Sequence, residues 1–199
     1  MKNRIDVNQI VPKNQNLLVS ITKLDKVKDG IFDDKKIIGD SDVLPVEYYV
    51  GKVLAVGEKV LDKEQCPELK LNDYVFFSQF SGYIAPTSNT FSKIITGYDI
   101  VAILTDPNNM NTETIKPSND RILVEIINES LVKDGIYDNT QDPTENLTQK
   151  GKVISCGVNA ENYEVGTIVH FEPFCGSDIV RNKEQHLKTV NSLDILFHI

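Results

Sequence analysis

At 199 residues, with 40% hydrophobic and 25% charged side chains, the chain has the composition of an ordinary globular protein of one large domain or two small ones. Its net charge of −8 argues against a phosphate-backbone partner, which needs a basic surface. No window approaches the ~18 apolar residues of a membrane span, the N-terminal stretch lacks the apolar run of a signal peptide, and three cysteines without CxxC spacing argue against a disulfide framework. A cytoplasmic protein with reduced thiols is the expectation, with neither nucleic acid nor membrane as partner.

The elements, in chain order, read as strands. "NLLVSI" from Asn16, "GKVLAV" from Gly51, "DYVFF" from Asp73 and "DIVAIL" from Asp99 are short β-branched and aromatic runs bounded by Gly, Pro, Asn and Asp. No stretch of a dozen residues carries a helical i, i+3, i+4, i+7 stripe between caps. Between the first two runs lies "KLDKVKDGIFDDKKIIGDSD", a charged segment with too little apolar surface to order alone. A polar linker, "TDPNNMNTET", follows the fourth run.

Beyond the linker the same landmarks return in the same order. "IVPKNQNLLV" from Ile10 matches "IKPSNDRILV" from Ile115 at an offset of 105, and "VKDGIF" from Val27 matches "VKDGIY" from Val132 at the same offset. "GKVLAVG" matches "GKVISCG" at an offset of 100. "LNDYVFFSQFSG" matches "VGTIVHFEPFCG" at 94, and "KIITGYDIVAIL" matches "KTVNSLDILFHI" at 95. The chain is therefore expected to be two homologous all-β units, 1–105 and 114–199, joined by a linker at 106–113. A small closed barrel suits each, because closure removes free strand edges. Each barrel alone would be marginal in stability.

These landmarks resemble the GroES co-chaperonin family over nearly the whole chain, twice. "IKPSNDRILVEI" is similar to that family's opening strand, "QKGKVISCG" and "YVGKVLAVG" to its Gly-x-Val strand, and "YDIVAIL" and "LDILFHI" to its closing strand. The first unit departs at Gln15-Asn16, where the second keeps Asp120-Arg121. The resemblance implies tandem GroES-like barrels without enzymatic activity or cofactor. They would cap a GroEL-type chaperonin that itself handles ATP, and assemble as a homo-oligomeric ring by joining the closing strand of one barrel to the opening strand of the next. It also implies that the segments from roughly Ile21 to Val50 and from Glu129 to Lys150 are mobile loops. Their anchors on the chaperonin would be Gly30, Ile31, Phe32, Gly135, Ile136 and Tyr137. The family's anchor carries three apolar residues after paired glycines, whereas here Asp33 and Asp138 stand at the third position. Ile37-Ile38 is a competing anchor in the first loop. The roof hairpin has room in "EKVLDKEQCPELK" but not in "VNAENYEVG".

Other readings stay open at this stage. Gly30 and Gly135 could be turn glycines after Asp. His170, Cys175, His186 and Cys156 could be imagined as zinc ligands, yet their spacing fits no usual pattern, and Phe76, Ser81 and Val56 replace His170, Cys175 and Cys156 in the first unit. Phe80-Ser81-Gly82-Tyr83 and Phe174-Cys175-Gly176 read as a dome-lining loop or as a packed turn. The GroES-like barrel of zinc-dependent dehydrogenases would need a GxGxxG and a cysteine cluster, which the sequence lacks. The remaining alternative is a duplicated β-barrel assembly protein, for instance of a virion, without chaperonin binding. The Asn-, Asp-, Lys- and Ile-rich composition suits a low-GC genome, that of a bacteriophage, a bacterium or a plastid.

Overall fold

The computed structural model describes residues 5–22, 48–62, 66–87, 91–127, 132–133, 136–137, 148–160, 163–172, 174–181 and 185–199. Among these the fold is all-β: fifteen strands and three short 3-10 turns, with no α-helix. A seven-stranded antiparallel sheet contains β1 (Asn16–Thr22), β2 (Tyr48–Val56), β3 (Tyr74–Ser78), β4 (Tyr83–Ala85), β5 (Ser92–Thr96), β6 (Ile100–Leu104) and β7 (Ile115–Pro117), in the order β4-β5-β1-β2-β3-β6-β7. A six-stranded antiparallel sheet contains β8 (Arg121–Ile126), β11 (Gln149–Cys156), β12 (Ile168–Phe171), β13 (Ser177–Arg181), β14 (His186–Asn191) and β15 (Ile195–His198), in the order β13-β14-β8-β11-β12-β15. Among the described residues the two-residue strands β9 (Val132–Lys133) and β10 (Ile136–Tyr137) pair only with each other.

Alternation along each strand builds the cores. Leu17 and Val19 of β1 turn inward with Val53, Val75, Phe77 and Ile95 to form one buried cluster. Ile122 and Val124 of β8 do the same with Val153, Val169, Phe171 and Val190. The ladders repeat residue by residue. Val50 lies opposite Phe76 as Lys150 lies opposite His170, and Phe76 opposite Ala102 as His170 lies opposite Phe197. Two bulges recur as well: one passes over Leu54 and Ile154, the other over Val101 and Leu196. Asn14 and Asn119 both hold φ of 56°, in the left-handed region that asparagine tolerates. Gly57 and Gly157 each pack where an added Cβ would strike the carbonyl of that asparagine.

The closed barrels expected from the sequence do not appear as closed ladders. Among the described residues both sheets are open, with β4 and β7 at the edges of one and β13 and β15 at the edges of the other. One sheet also crosses the linker, since β6 pairs with β7 through Ala102–Pro117, Ile103–Lys116 and Leu104–Ile115. The linker itself is a tight polar turn. Asn111 Oδ1 accepts from the amides of Glu113 (2.8 Å) and Thr114 (3.1 Å), and Thr114 Oγ1 donates to Asn109 O at 2.6 Å. Ser118 ties the halves further, donating from its backbone to Val101 O (3.3 Å) and from its side chain to Ile100 O. Above this seam lies a mixed core: Val50, Phe76, Ala102 and Leu104 from the first half meet Ile115, Leu123, Ile179 and Leu187 from the second.

"KIITGYDIVAIL" is not one run. A 3-10 turn at Gly97–Asp99 separates β5 from β6, held by the Asp99 carboxylate, which accepts from Thr96 N (2.7 Å) and Oγ1 (2.8 Å). The roof-hairpin stretch in the first half is partly described: Val60, Cys66 and Leu69 fold down into the first core.

Candidate partner-binding surfaces

The loops leave and return through well-paired strands. β1 runs on to Thr22 opposite Val50, and β2 begins at Tyr48, so Ile21, Thr22 and Tyr48–Val50 are sheet, not loop as expected. In the second half Ile127 N donates to Lys150 O at 2.9 Å, and β11 begins at Gln149. Gly30, Ile31, Phe32, Gly135 and the competing Ile37-Ile38 lie outside the described residues. Ile136 and Tyr137 are within them as β10, opposite Lys133 and Val132 respectively. The second copy of the repeated phrase thus carries a minimal ladder. Two residues separate its strands, and their identity, Asp-Gly, is a favoured one for a two-residue hairpin connection.

Where each loop returns, a buried lysine stands on the inner side of the sheet. Lys93 and Lys188 are each only 5% exposed. Lys93 Nζ donates to Gln79 O and lies 5.6 Å from the Tyr49 ring centroid. Lys188 Nζ donates to Gln149 Oε1 at 3.1 Å and lies 5.9 Å from the Phe171 ring. Burial pushes the Lys93 ammonium below its ordinary pKa, partly offset by the Asp99 carboxylate. A buried ammonium needs acceptors and an aromatic face to offset lost hydration. Both lysines thereby fix the return strands, through Tyr49 and Gln149. Sequence reasoning passed over them, although the aligned landmarks "KIIT" and "KTVN" each begin with one.

The histidines and cysteines weighed as zinc ligands have separate neighbours. His170 stacks on Phe197 with ring centroids 4.3 Å apart, and His186 Nε2 lies 2.7 Å from Asp178 Oδ1. The Cys156 thiol donates to Tyr163 O (3.3 Å), and that of Cys175 to Glu172 O (3.1 Å). Burial raises the pKa of both thiols above the ordinary value. An open groove lined by Leu54, Ala55, Val56, Leu61, Leu69, Lys70 and Leu71 offers no nucleophile beside a base.

Large apolar side chains crowd the two free ends of the repeat. On and beside β4, Phe80, Tyr83, Ile84 and Phe91 are exposed, with Gly82 in the left-handed region (φ 62°) turning the chain between them. Phe174, before the matching Gly176 (φ 75°), is also exposed. At the C-terminal end Leu193, Leu196, Phe197 and Ile199 are exposed, and among the described residues β15 pairs only with β12. Its counterpart β6 is buried at every residue, because β7 and the second half cover it. Among the described residues no helix is long and apolar enough to cross a membrane. No protein-family model and no curated protein matches the chain.

Proposed function

We propose that the chain is a tandem co-chaperonin of the GroES type, each half a small GroES-like barrel, which caps a GroEL-type chaperonin and assists ATP-dependent folding. One observation carries the reading: a register-matched β framework occurs twice, and each copy sends out a long charged segment bearing V-K-D-G-I-aromatic between its first two long strands. Gly30, Ile31, Phe32, Gly135, Ile136 and Tyr137 are the chaperonin-binding set, with the four apolar side chains as anchors. Loops that order only on docking give modest affinity each, which suits a cap that must leave in every cycle. ATP belongs to the partner, and this chain performs no chemistry of its own.

Copies join end to end. Inside the chain β6 already receives β7, and the equivalent edge, β15, is free while Ile10–Pro12, the counterpart of Ile115–Pro117, has no ladder partner among the described residues. A ring of whole chains holds an even number of barrels. The alternative, a duplicated assembly protein, shares this self-association but predicts no chaperonin binding. Mixing the purified chain with a GroEL-type chaperonin separates them: ATP-dependent co-elution with the chaperonin is the expected result, and co-elution that is absent with every nucleotide state refutes the co-chaperonin reading.

A further inference from the structure

The halves of the chain meet at one junction, and the repeated register leaves a second copy of that junction open, its two sides at opposite ends of the molecule. In the internal junction, β3 and β6 present Phe76 opposite Ala102, with Tyr48 stacked on Phe76 at 4.8 Å between centroids. Against them stand Ile179 and Leu187. Ser177 closes the contact, its Oγ accepting from Tyr48 Oη at 2.8 Å.

The ladders identify the matching positions at the open ends. Because Lys150 lies opposite His170 as Val50 lies opposite Phe76, Thr148 corresponds to Tyr48 and Phe197 to Ala102. Because Tyr83 pairs with Ile94 as Ser177 pairs with Thr189, Tyr83 corresponds to Ser177. Ala85 and Ser92, themselves paired, correspond to the β13–β14 positions that hold Ile179, Val180 and Leu187.

The sizes have been exchanged across the seam. Where the receiving face grows, from Ala102 to Phe197, the entering face shrinks, from Ile179 and Leu187 to Ala85 and Ser92. Where the receiving face shrinks, from Tyr48 to Thr148, the entering face grows, from Ser177 to Tyr83. Interfaces pack as densely as interiors, so such paired changes are what two complementary surfaces require of each other. In the single chain Tyr83 is 82% and Phe197 50% exposed, while Ala85 and Ser92 are already buried at 4% and 0%, so Tyr83 is the open part of the entering face.

We propose that the second half of one copy receives the first half of the next through a junction keyed by Tyr83 against Thr148 and by Phe197, distinct in its fit from the junction inside the chain. This rests on the end-to-end assembly proposed above and adds the residues that choose the partner face. The exchange makes the two junctions non-interchangeable: a second half entering on Thr148 would bring Ser177 and leave a void, and Phe197 would meet Ile179 and Leu187. Copies therefore join only head to tail, the arrangement that gives a ring where the rotation closes.

Sedimentation of the full chain across micromolar concentrations tests the keying. The native chain is expected to associate. Tyr83→Ser should weaken association about tenfold or more, as the loss of a buried aromatic anchor does. Thr148→Tyr should weaken it comparably by crowding Tyr83. The double variant Tyr83→Ser/Thr148→Tyr rebuilds the tyrosine–serine pair of the internal junction and should recover to within about threefold of native. Thermal melts at concentrations where the chain is monomeric should stay together, since Tyr83 is a surface side chain. A native chain that stays monomeric defeats the assembly reading itself. A native chain that associates, with Tyr83→Ser as strong as native or the double variant no better than the singles, overturns the keying and leaves the assembly standing.

Discussion

Truncating Phe76 to alanine asks whether the two halves share a core. The ring is fully buried, stacks on Tyr48, and belongs to the cluster that draws Ile115, Leu123, Ile179 and Leu187 from beyond the linker. Removing a buried phenylalanine costs ~3–5 kcal/mol, including a cavity that packed neighbours only partly fill. The lost ring–ring contact accounts for ~0.5–1.5 kcal/mol of that. Against a total stability of ~5–15 kcal/mol the loss is a large fraction. At ~2–4 °C per kcal/mol for a chain of this size, it lowers the melting temperature by roughly 6–20 °C. The control is His170→Ala, at the register-matched position of the second half, where the side chain is only half-buried; its cost should stay near ~1 kcal/mol. Urea and thermal melts followed by far-ultraviolet dichroism, at concentrations where the chain is monomeric, give both numbers. Equal costs for Phe76→Ala and His170→Ala would refute the reasoning, because they would mean that the seam between the halves is not packed as a core.

Three further predictions concern the repeated framework and the Cys66 thiol. Gly57→Ala would bring a Cβ to within 2.5 Å of Asn14 O and 2.7 Å of Asn16 O, so the backbone must move; a loss of ~1–3 kcal/mol in a urea melt is expected, and an unchanged midpoint would show the turn to be looser. Burial, with Glu68 and Asp73 nearby, pushes the Cys66 thiol from 9.0 up to about 12, so it should resist an aromatic disulfide reagent at pH 8 in the folded chain and react on unfolding; equal rates in the two states would contradict this. By linkage, the folded chain keeps a proton that the unfolded chain loses above about 9, so this thiol's contribution to stability is full below pH 9 and declines as pH rises toward 12. A Cys66→Val variant should lack that alkaline decline, and an identical pH profile in both proteins would argue against it.

Much of the framework was legible because strand alternation and turn chemistry are local. "NLLVSI", "GKVLAV", "DYVFF" and "DIVAIL" lie within β1, β2, β3 and β6 or overlap them closely, and their offsets matched the ladders that now carry them. The short edge strands were not legible. β4 is three residues of "SGYIAP", set off by a glycine whose positive φ reads in sequence only as a turn. The break between β5 and β6 depends on the Asp99 carboxylate closing on Thr96, a hydrogen-bonding detail hidden inside an apolar run. Sheet closure could not be read either, because which edges meet is decided by long-range geometry, and among the described residues the ladders stay open. Of the site, the repeated phrase and its place between strands were legible. The buried Lys93 and Lys188 were not, since a lysine in a strand ordinarily signals a solvated face, and only the fold shows Tyr49 and Gln149 beside them. The size exchange between Tyr48–Ser177 and Thr148–Tyr83 also needed the registers, because the offsets differ between those strands.

Replacing Ile31, Phe32, Ile136 and Tyr137 together by serine tests the central claim most directly. Each apolar anchor buried on docking contributes roughly 1.5–3 kcal/mol, and the arms of an assembled cap act together. The account predicts that ATP-dependent co-sedimentation with a GroEL-type chaperonin, present for the native chain, is lost in the quadruple variant while its thermal melt stays within about 2 °C of native. Binding that is unaltered in the quadruple variant, or a melt that collapses, would contradict it.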